Sequence, residues 1–379
     1  MLAAQYERRG PDNWTRTDGC SNGLSPQLVI YFGDRIVMAE NDCHAELKAM
    51  YPEAHLLGCS TGGEILADEV LDGSIVATAI EFENTDIQLV SANLRDYAGI
   101  FECGRDLGQQ LMADNLRSVF VLSDGTDVNG SDLVRGITEI IGRDIPLTGG
   151  LAGDGDRFGE TLVGIDDRPS SGIIGALGFY GDSFVMGHGS VGGWDEFGPN
   201  RAITKSSGNV LYELDGEPAL ELYKRYLGPE ANELPGSALL YPLRVWPPEN
   251  PDSDVVRTIV GIDEDAQSLI FAGNVPEGYL AQLMQGNFGR LIDGAASAAG
   301  SAKQAVNGNN GVAILVSCIG RKLLLGQRAG EEAEAIKDIL GDNIAQLGFY
   351  SYGEISPHAK SGMCELHNQT MTVTVISEN

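Results

Sequence analysis

Gly58-Cys59-Ser60-Thr61-Gly62-Gly63-Glu64-Ile65 aligns without a gap on Gly348-Phe349-Tyr350-Ser351-Tyr352-Gly353-Glu354-Ile355, with two glycines, the glutamate and the isoleucine identical. The flanks agree as well. Leu28-Val29-Ile30-Tyr31 and Ala313-Ile314-Leu315-Val316 are apolar runs that precede the two copies by about a loop and a helix. A charged helical stretch follows each run, and a β-rich segment follows each phrase. The reading is an α/β (mixed α+β) protein of two related domains, each of mixed β-sheets covered by helices in layered αββα-like sandwiches with their own cores. A loose lead-in over 1–24 would precede an N-terminal domain at 25–192 and a C-terminal domain at 193–379. A turn present in both halves is a natural place for a shared binding site.

Composition narrows the function classes. The 379 residues are 42% hydrophobic and 21% charged, which suits globular domains rather than disorder. The net charge of -29 repels phosphate backbones and anionic lipid, so neither nucleic acid nor a membrane surface is an expected partner. The start lacks the apolar core of a signal peptide, and no stretch reaches the roughly 20 apolar residues of a membrane helix. Cys20, Cys43, Cys59, Cys103, Cys318 and Cys364 contain no C-x-x-C pair, so neither a disulfide framework nor structural zinc is indicated. A reduced, cytoplasmic protein is expected.

Along the chain, Gly10-Pro11 and Gly19 break the lead-in. Helices are expected over 42–51, 104–112, 131–141, 218–227 and 331–340. A further long one spans 279–304 with a break near Gly300. Only 65–71 offers helical text directly after the first phrase. Strands 173–180 and 184–189 read as a pair around Gly181-Asp182, and 256–263 with 268–273 as a hairpin. The alternating strand at 370–376 implies a C-terminus tied into a sheet.

Several segments imitate catalytic or metal motifs. Gly58-Cys59-Ser60-Thr61-Gly62 satisfies the G-x-S-x-G of hydrolases, but that elbow needs a long following helix, and the second copy has Tyr350 in place of Ser60. Cys59 as a nucleophile competes with the commoner small buried thiol. Asp124–Asp132 fails as a calcium loop because glycine stands at 125 and 136; it reads as a βα loop capping a helix near Ser131, with N–H groups able to hold a carboxylate. The Gly-rich run at Gly149, Gly150 and Asp154 lacks the Lys-Ser/Thr of a phosphate loop and misses G-x-G-x-x-G. His44, His55, His188, His358 and His367 form no zinc cluster. His367 interrupts an apolar pattern, so it is either a satisfied half-buried histidine or a single haem ligand.

Taken together, Gly58–Ile65, Gly149–Phe158, Trp194–Gly198, Leu214–Leu220 with Tyr223, Asn274–Gly278, Ser317–Arg321, Gly348–Pro357 and Leu366–Thr372 resemble the signature segments of FIST proteins. The resemblance runs in order from about Leu28 to Ile376. It implies a sensory module for a small ligand such as an amino acid, without catalysis; some relatives bind haem and report nitric oxide to a histidine kinase. These 379 residues hold no kinase, cyclase or F-box segment, so output is expected to pass to a separate signalling protein. The expected site lies between the halves at Cys59, Ser60, Thr61, Gly62, Gly63 and Glu64, at Tyr350, Ser351, Gly353 and Glu354, and at Gly149, Gly150 and Asp154. Arg321 would meet an anionic ligand group. Glu64 and Glu354 either bond the turn's own N–H groups or meet a ligand amine. No cofactor is expected, unless haem binds through His367 or His188.

Overall fold

The computed structural model describes residues 1–9, 13–17, 23–306 and 310–379. Gly10-Pro11, Gly19 and Cys20 lie outside the described residues. The chain begins with β1 (Leu2–Arg9), β2 (Thr15–Arg16), β3 (Leu28–Asp34), α1 (Arg35–Glu40), α2 (Cys43–Met50) and β4 (His55–Thr61), then β5 (Glu64–Leu66), β6 (Glu69–Leu71) and β7 (Ser74–Glu81). A second stretch holds β8 (Asp86–Asn93), α3 (Ile100–Leu111), β9 (Leu116–Ser123), α4 (Gly130–Ile141), β10 (Leu147–Leu151), β11 (Val163–Ile165) and β12 (Ile173–Tyr180). A third opens with β13 (Phe184–Val191) and is interrupted by an excursion. The excursion comprises β14 (Trp194–Ser207), β15 (Val210–Leu214), β16 (Glu217–Pro218), α5 (Ala219–Leu227), β17 (Leu243–Trp246), β18 (Val255–Arg257), β19 (Ile259–Asp263), β20 (Ser268–Phe271) and β21 (Leu280–Gly286). The third stretch resumes with α6 (Phe288–Lys303), β22 (Gly311–Cys318), α7 (Ile319–Leu325), α8 (Gly330–Leu340), β23 (Ile344–Ser351), β24 (Gly353–Pro357), β25 (Cys364–His367) and β26 (Met371–Glu378).

Strand order makes these stretches one pattern used three times. Three sheets contain β11-β4-β3-β7-β1, β24-β10-β9-β12-β8 and β5-β23-β22-β26-β13. Each is centred on a parallel pair, β3–β4, β9–β10 or β22–β23. One end position in each pattern is filled by a different repeat. β5 leaves the first repeat to pair with β23 of the third, β24 leaves the third for β10 of the second, and β11 leaves the second for β4 of the first. The three repeats therefore interlock in a ring.

The quoted phrase occupies two of the three equivalent places, and Gly149-Gly150-Leu151-Ala152-Gly153 is the third. A Cβ on Gly58 would lie 2.4 Å from the Tyr31 carbonyl oxygen, on Gly149 1.9 Å from that of Val121, and on Gly348 2.2 Å from that of Leu315. At all three places the parallel partner's backbone leaves room only for glycine.

Period-two alternation distributes the core. Leu28, Ile30 and Phe32 join Phe120, Leu122, Val312, Ile314 and Val316 in one cluster drawn from all three sheets, with the rings of Phe32 and Phe349 4.5 Å apart. The intervening Val29 and Tyr31 pack with Met38 and Leu47 of α1 and α2. Val119, Val121, Ala313 and Leu315 face a cluster built largely from α3, α4, α6 and α8. The helix-covered mixed sheets are thus as expected, but the cores are shared across the halves instead of separate. The excursion has its own sheet and its own cluster, including Ile203, Leu220, Tyr223 and Phe271.

Four local expectations are corrected. Part of the lead-in is β1, paired with β7 along its whole length, because its alternating residues complete the first sheet. Residues 64–71 form a β5–β6 hairpin turning at Ala67, whose φ is +52°, so no helix follows the first phrase. The long helix begins only at Phe288, after β21, and runs past Gly300. Strands β12 and β13 do not pair; the turn between them passes the chain from one sheet to the next, as the turn between β7 and β8 does.

Candidate functional site

The strands β4, β10 and β23 end in the three equivalent turns, which hydrogen-bond to one another cyclically. Gly62 N–H donates to Tyr350 O at 2.7 Å, Gly153 N–H to Ser60 O at 2.9 Å and Tyr352 N–H to Leu151 O at 3.3 Å. Sequence reading brought Gly58–Glu64, Gly149–Asp154 and Gly348–Glu354 together, and they do meet here.

Their side chains are mostly committed to the fold. Glu64 accepts from Thr61 Oγ1 at 2.5 Å and from Ser74 Oγ at 2.7 Å. Glu354 accepts from Ser351 Oγ at 2.6 Å and from Thr370 Oγ1 at 2.9 Å. Of the two roles left open for these glutamates, the geometry is that of the internal bond. Burial pushes Glu64 up to about 7 and Glu354 up to about 8, and the hydroxyl donors only partly oppose it. Ser60 Oγ donates to Gly153 O and accepts from Leu162 N–H, both at 2.9 Å. Cys59 is fully buried, which raises its thiol pKa well above the usual range. The Tyr350 ring is also buried, under the Lys322 ammonium at 5.3 Å.

Asp154 accepts from Arg35 Nε at 2.9 Å and Arg157 Nε at 2.6 Å, welding the first repeat to the second. Burial pushes this carboxyl up, but the two guanidinium bonds outweigh it and hold it below its usual value. Arg321 is a correction. Its guanidinium is fully buried, pairs with buried Glu332, and donates to the carbonyls of Gly192, Gln369 and Leu291. It therefore ties together the two ends of the excursion and presents nothing to a ligand.

The two candidate haem ligands, His367 and His188, lie in strands β25 and β13. His367 is buried and donates Nε2–H to Ser356 O at 3.0 Å, and burial pulls it down to about 4. His188 is half-buried in β13 opposite Thr374. Neither lines any of the clefts below.

Clefts open beside the first and second turns. A cleft of about 240 Å³ lies at the first turn, walled by Asp34, Asp72, Arg157 and Lys322, whose Nζ donates to Gly62 O at 2.8 Å. A larger one, about 420 Å³, opens beside the second turn at the carboxyl ends of β9, β10 and β22 and is covered by the excursion's sheet. This is where open α/β sheets place ligands. Its walls come from Gly125–Asn129, Leu151, Phe158 and Tyr352 on one side, and from Leu239, Thr258, Val260 and Phe271 on the other. Phe158 and Tyr352 stack at 4.8 Å with 18° between planes, and Phe158 sits at φ +47°. Thr258 is 4% exposed, and its Oγ1 has no hydrogen-bond partner among the described residues.

The loop N–H groups proposed to hold a carboxylate are largely taken. Asp124 Oδ1 accepts from Thr126 N–H at 2.8 Å and Asp127 N–H at 2.9 Å, while Gly125 N–H donates to Thr161 Oγ1 at 2.8 Å. Asp127 is the charged side chain of this cleft. Sequence reading named Tyr350 and missed Tyr352, Phe158 and Thr258. Tyr352 stood inside the quoted phrase and Phe158 at the end of the segment Gly149–Phe158, but Thr258 carried no local signal.

Models of the FIST N domain and the FIST C domain match residues 27–217 and 219–357. The chain belongs to the FIST family. FIST domains are associated with sensing and signal transduction. The larger cleft of this FIST protein draws its walls from both matched segments. The chain is 25% identical, over 88% of its length, to an uncharacterised protein of Methanocaldococcus jannaschii, of which the alignment covers 69%. A crystal structure of cyanuric acid hydrolase from A. caulinodans aligns over 78% of the chain and 99% of its own at 10% identity; its TM-score of 0.21 carries no argument. Among the described residues, no helix is long and apolar enough to cross a membrane.

Proposed function

We propose that this FIST protein is a non-catalytic sensor that binds a small ligand in the 420 Å³ cleft and signals through a separate protein, such as a histidine kinase. The observation that carries this reading is the cleft itself, at the strand ends between the ring and the excursion's sheet. Its volume suits an amino acid or related metabolite. The stacked Phe158–Tyr352 pair offers an aromatic or apolar contact, Thr258 Oγ1 an unused polar group, and Asp127 a partner for an ammonium. With no cationic side chain in the wall, an amine-bearing ligand is favoured over one recognised by its carboxylate. A ligand touching both walls would favour one arrangement of sheet and ring over others, which gives a partner something to read. The committed hydroxyl of Ser60 and the buried thiol of Cys59 support binding over bond cleavage.

A thermal-shift screen of amino acids and biogenic amines tests the reading. A true ligand at 100 times its Kd adds about 2.7 kcal/mol. Tyr352→Ala and Thr258→Val should weaken binding with little effect on the unliganded protein's cooperativity. If no compound stabilises the wild type, or a hit binds both variants unchanged, the cleft is not the sensor site.

A further inference from the structure

We propose that a second groove, around Arg257, is a binding site for a small organic carboxylate. The groove encloses about 620 Å³ between α4, the edge strand β18 with its neighbour β17, and the segment from Pro357 to Glu365. Arg257 is 3% exposed and lines it. Its Nε donates to Asn274 O at 2.9 Å, and one Nη to Leu366 O at 2.8 Å. These bonds fix the guanidinium plane. The other Nη has no partner among the described residues, and the side chain makes no ion pair there.

The contrast with Arg321 defines the inference. Both arginines are buried and both bond backbone carbonyls, but Arg321 has Glu332 against it and no donor to spare. A buried charge without a counter-ion is costly, so a fixed guanidinium with an unused donor edge facing a groove is a receptor for an anion. Glu365 attracts Arg257 from beyond ion-pair distance and shares the groove wall with Glu249. Arg135 and Arg143 also line the groove, and Arg135 is paired with Asp132. Ile145, Val245, Pro247, Val255 and Met363 give the groove an apolar surface beside the polar Ser131, Thr138, Asn250 and Ser253, a mixture that suits a carboxylate carrying a carbon body over a free inorganic ion. This groove is separate from the sensor cleft, although Arg257 and Thr258 are consecutive and line one each.

Titration of the full chain with butyrate, succinate and inorganic phosphate at constant ionic strength, followed by the Arg Nε–H resonances and by calorimetry, tests it. Saturable binding of an organic carboxylate that shifts one buried Nε–H signal is expected. Arg257→Gln should weaken it at least about tenfold. Glu365→Gln, which removes the competing carboxylate, should tighten it severalfold, and this variant decides the matter if Arg257→Gln fails to fold. Non-saturating shifts with all three anions, preferential binding of phosphate, or an affinity unmoved by Glu365→Gln would overturn the proposal.

Discussion

Glu64 and Glu354 hold equivalent places in two of the three interlocked turns, and each is clasped by the same pair of hydroxyls. Thr61 and Ser74 close on the first, Ser351 and Thr370 on the second, at 2.5–2.9 Å. The third place has the same backbone and none of the polarity. Asp124 N–H donates to Ile173 O as Cys318 N–H does to Thr370 O, which puts Ile173 where the other repeats have Ser74 and Thr370. The cross-strand partners of Cys59, Gly150 and Phe349 are Val163, Glu354 and Glu64. Ala152 completes the set opposite Thr61 and Ser351. Thr–Glu–Ser in one repeat is therefore Ala–Val–Ile in another.

The carboxyls predict a pH dependence. Both have folded pKa values raised, to about 7 and about 8, above the ordinary glutamate value. Between about pH 4.5 and 8 the folded protein holds protons that the unfolded chain has released, so stability falls as pH rises through this window. Glu64→Gln and Glu354→Gln should each flatten the fall relative to wild type in urea melts from pH 5 to 8.5. Parallel wild-type and variant curves would mean the carboxyls are ionised in the fold.

The Arg321–Glu332 pair predicts an asymmetry between single and double replacements. Arg321→Met leaves a buried carboxylate without its partner and takes a donor from the carbonyls of Gly192, Leu291 and Gln369, the last of which keeps Trp194 Nε1–H, a loss of about 3–5 kcal/mol. Arg321→Met with Glu332→Leu removes the stranded charge and should recover about half. Because the carbonyls of Gly192 and Leu291 flank the excursion, protease nicking near 192–193 and 287–291 should rise most in the single variant. Equal melting temperatures for single and double variants would refute this account.

Phe158 predicts a reversed order of substitutions. With φ at +47°, a glycine relieves backbone strain that an alanine retains, while both lose the ring stacked on Tyr352. Phe158→Gly should be more stable than Phe158→Ala by about 1 kcal/mol in urea midpoints. Both should bind a cleft ligand more weakly than wild type. Alanine equal to or above glycine would mean that residue 158 does not hold this conformation in solution.

How much of this was legible follows from what the sequence repeats. The Gly58 and Gly348 phrases were visible because the chain returns at once into a partner strand, so Gly-Glu-Ile follows at the same spacing both times. The third copy was hidden by the long connection from Gly153 to Val163 and by the exchange of its polar residues for apolar ones. Of the residues identical in both visible copies, only the first glycine recurs, as Gly149, forced by the Val121 carbonyl. Leu28–Phe32 and Val312–Cys318 announced buried strands, but nothing in them says that β5, β11 and β24 leave their own repeats. That exchange depends on contacts between strands such as Cys59 and Val163, about a hundred residues apart. Arg321 was conspicuous for its charge after a core strand, and its partners Gly192, Leu291 and Glu332 were not.

The natural Ala–Val–Ile set gives the most demanding prediction. In the first repeat, Glu64→Val alone strands the Ser74 and Thr61 hydroxyls in a buried site. Ser74→Ile alone removes the hydroxyl donor from a buried carboxyl, leaving it only the backbone N–H of residue 74 on that side, and adds bulk beside it. Each should cost about 2–4 kcal/mol, because an unsatisfied buried group bears its full desolvation cost. The triple variant Thr61→Ala, Glu64→Val, Ser74→Ile leaves no polar side chain of the clasp behind and copies a set of which the second repeat buries Ala152 and Val163 in the shared core and packs Ile173 against it. It should be more stable than either single variant, with a strongly non-additive cycle, and it should lack the share of the pH slope that belongs to Glu64. Chemical denaturation of the two singles and the triple at pH 6 and pH 8 measures both effects together. If the three substitutions simply add, the repeats are alike in strand order but not in packing, and the equivalence of Glu64 with Val163 fails.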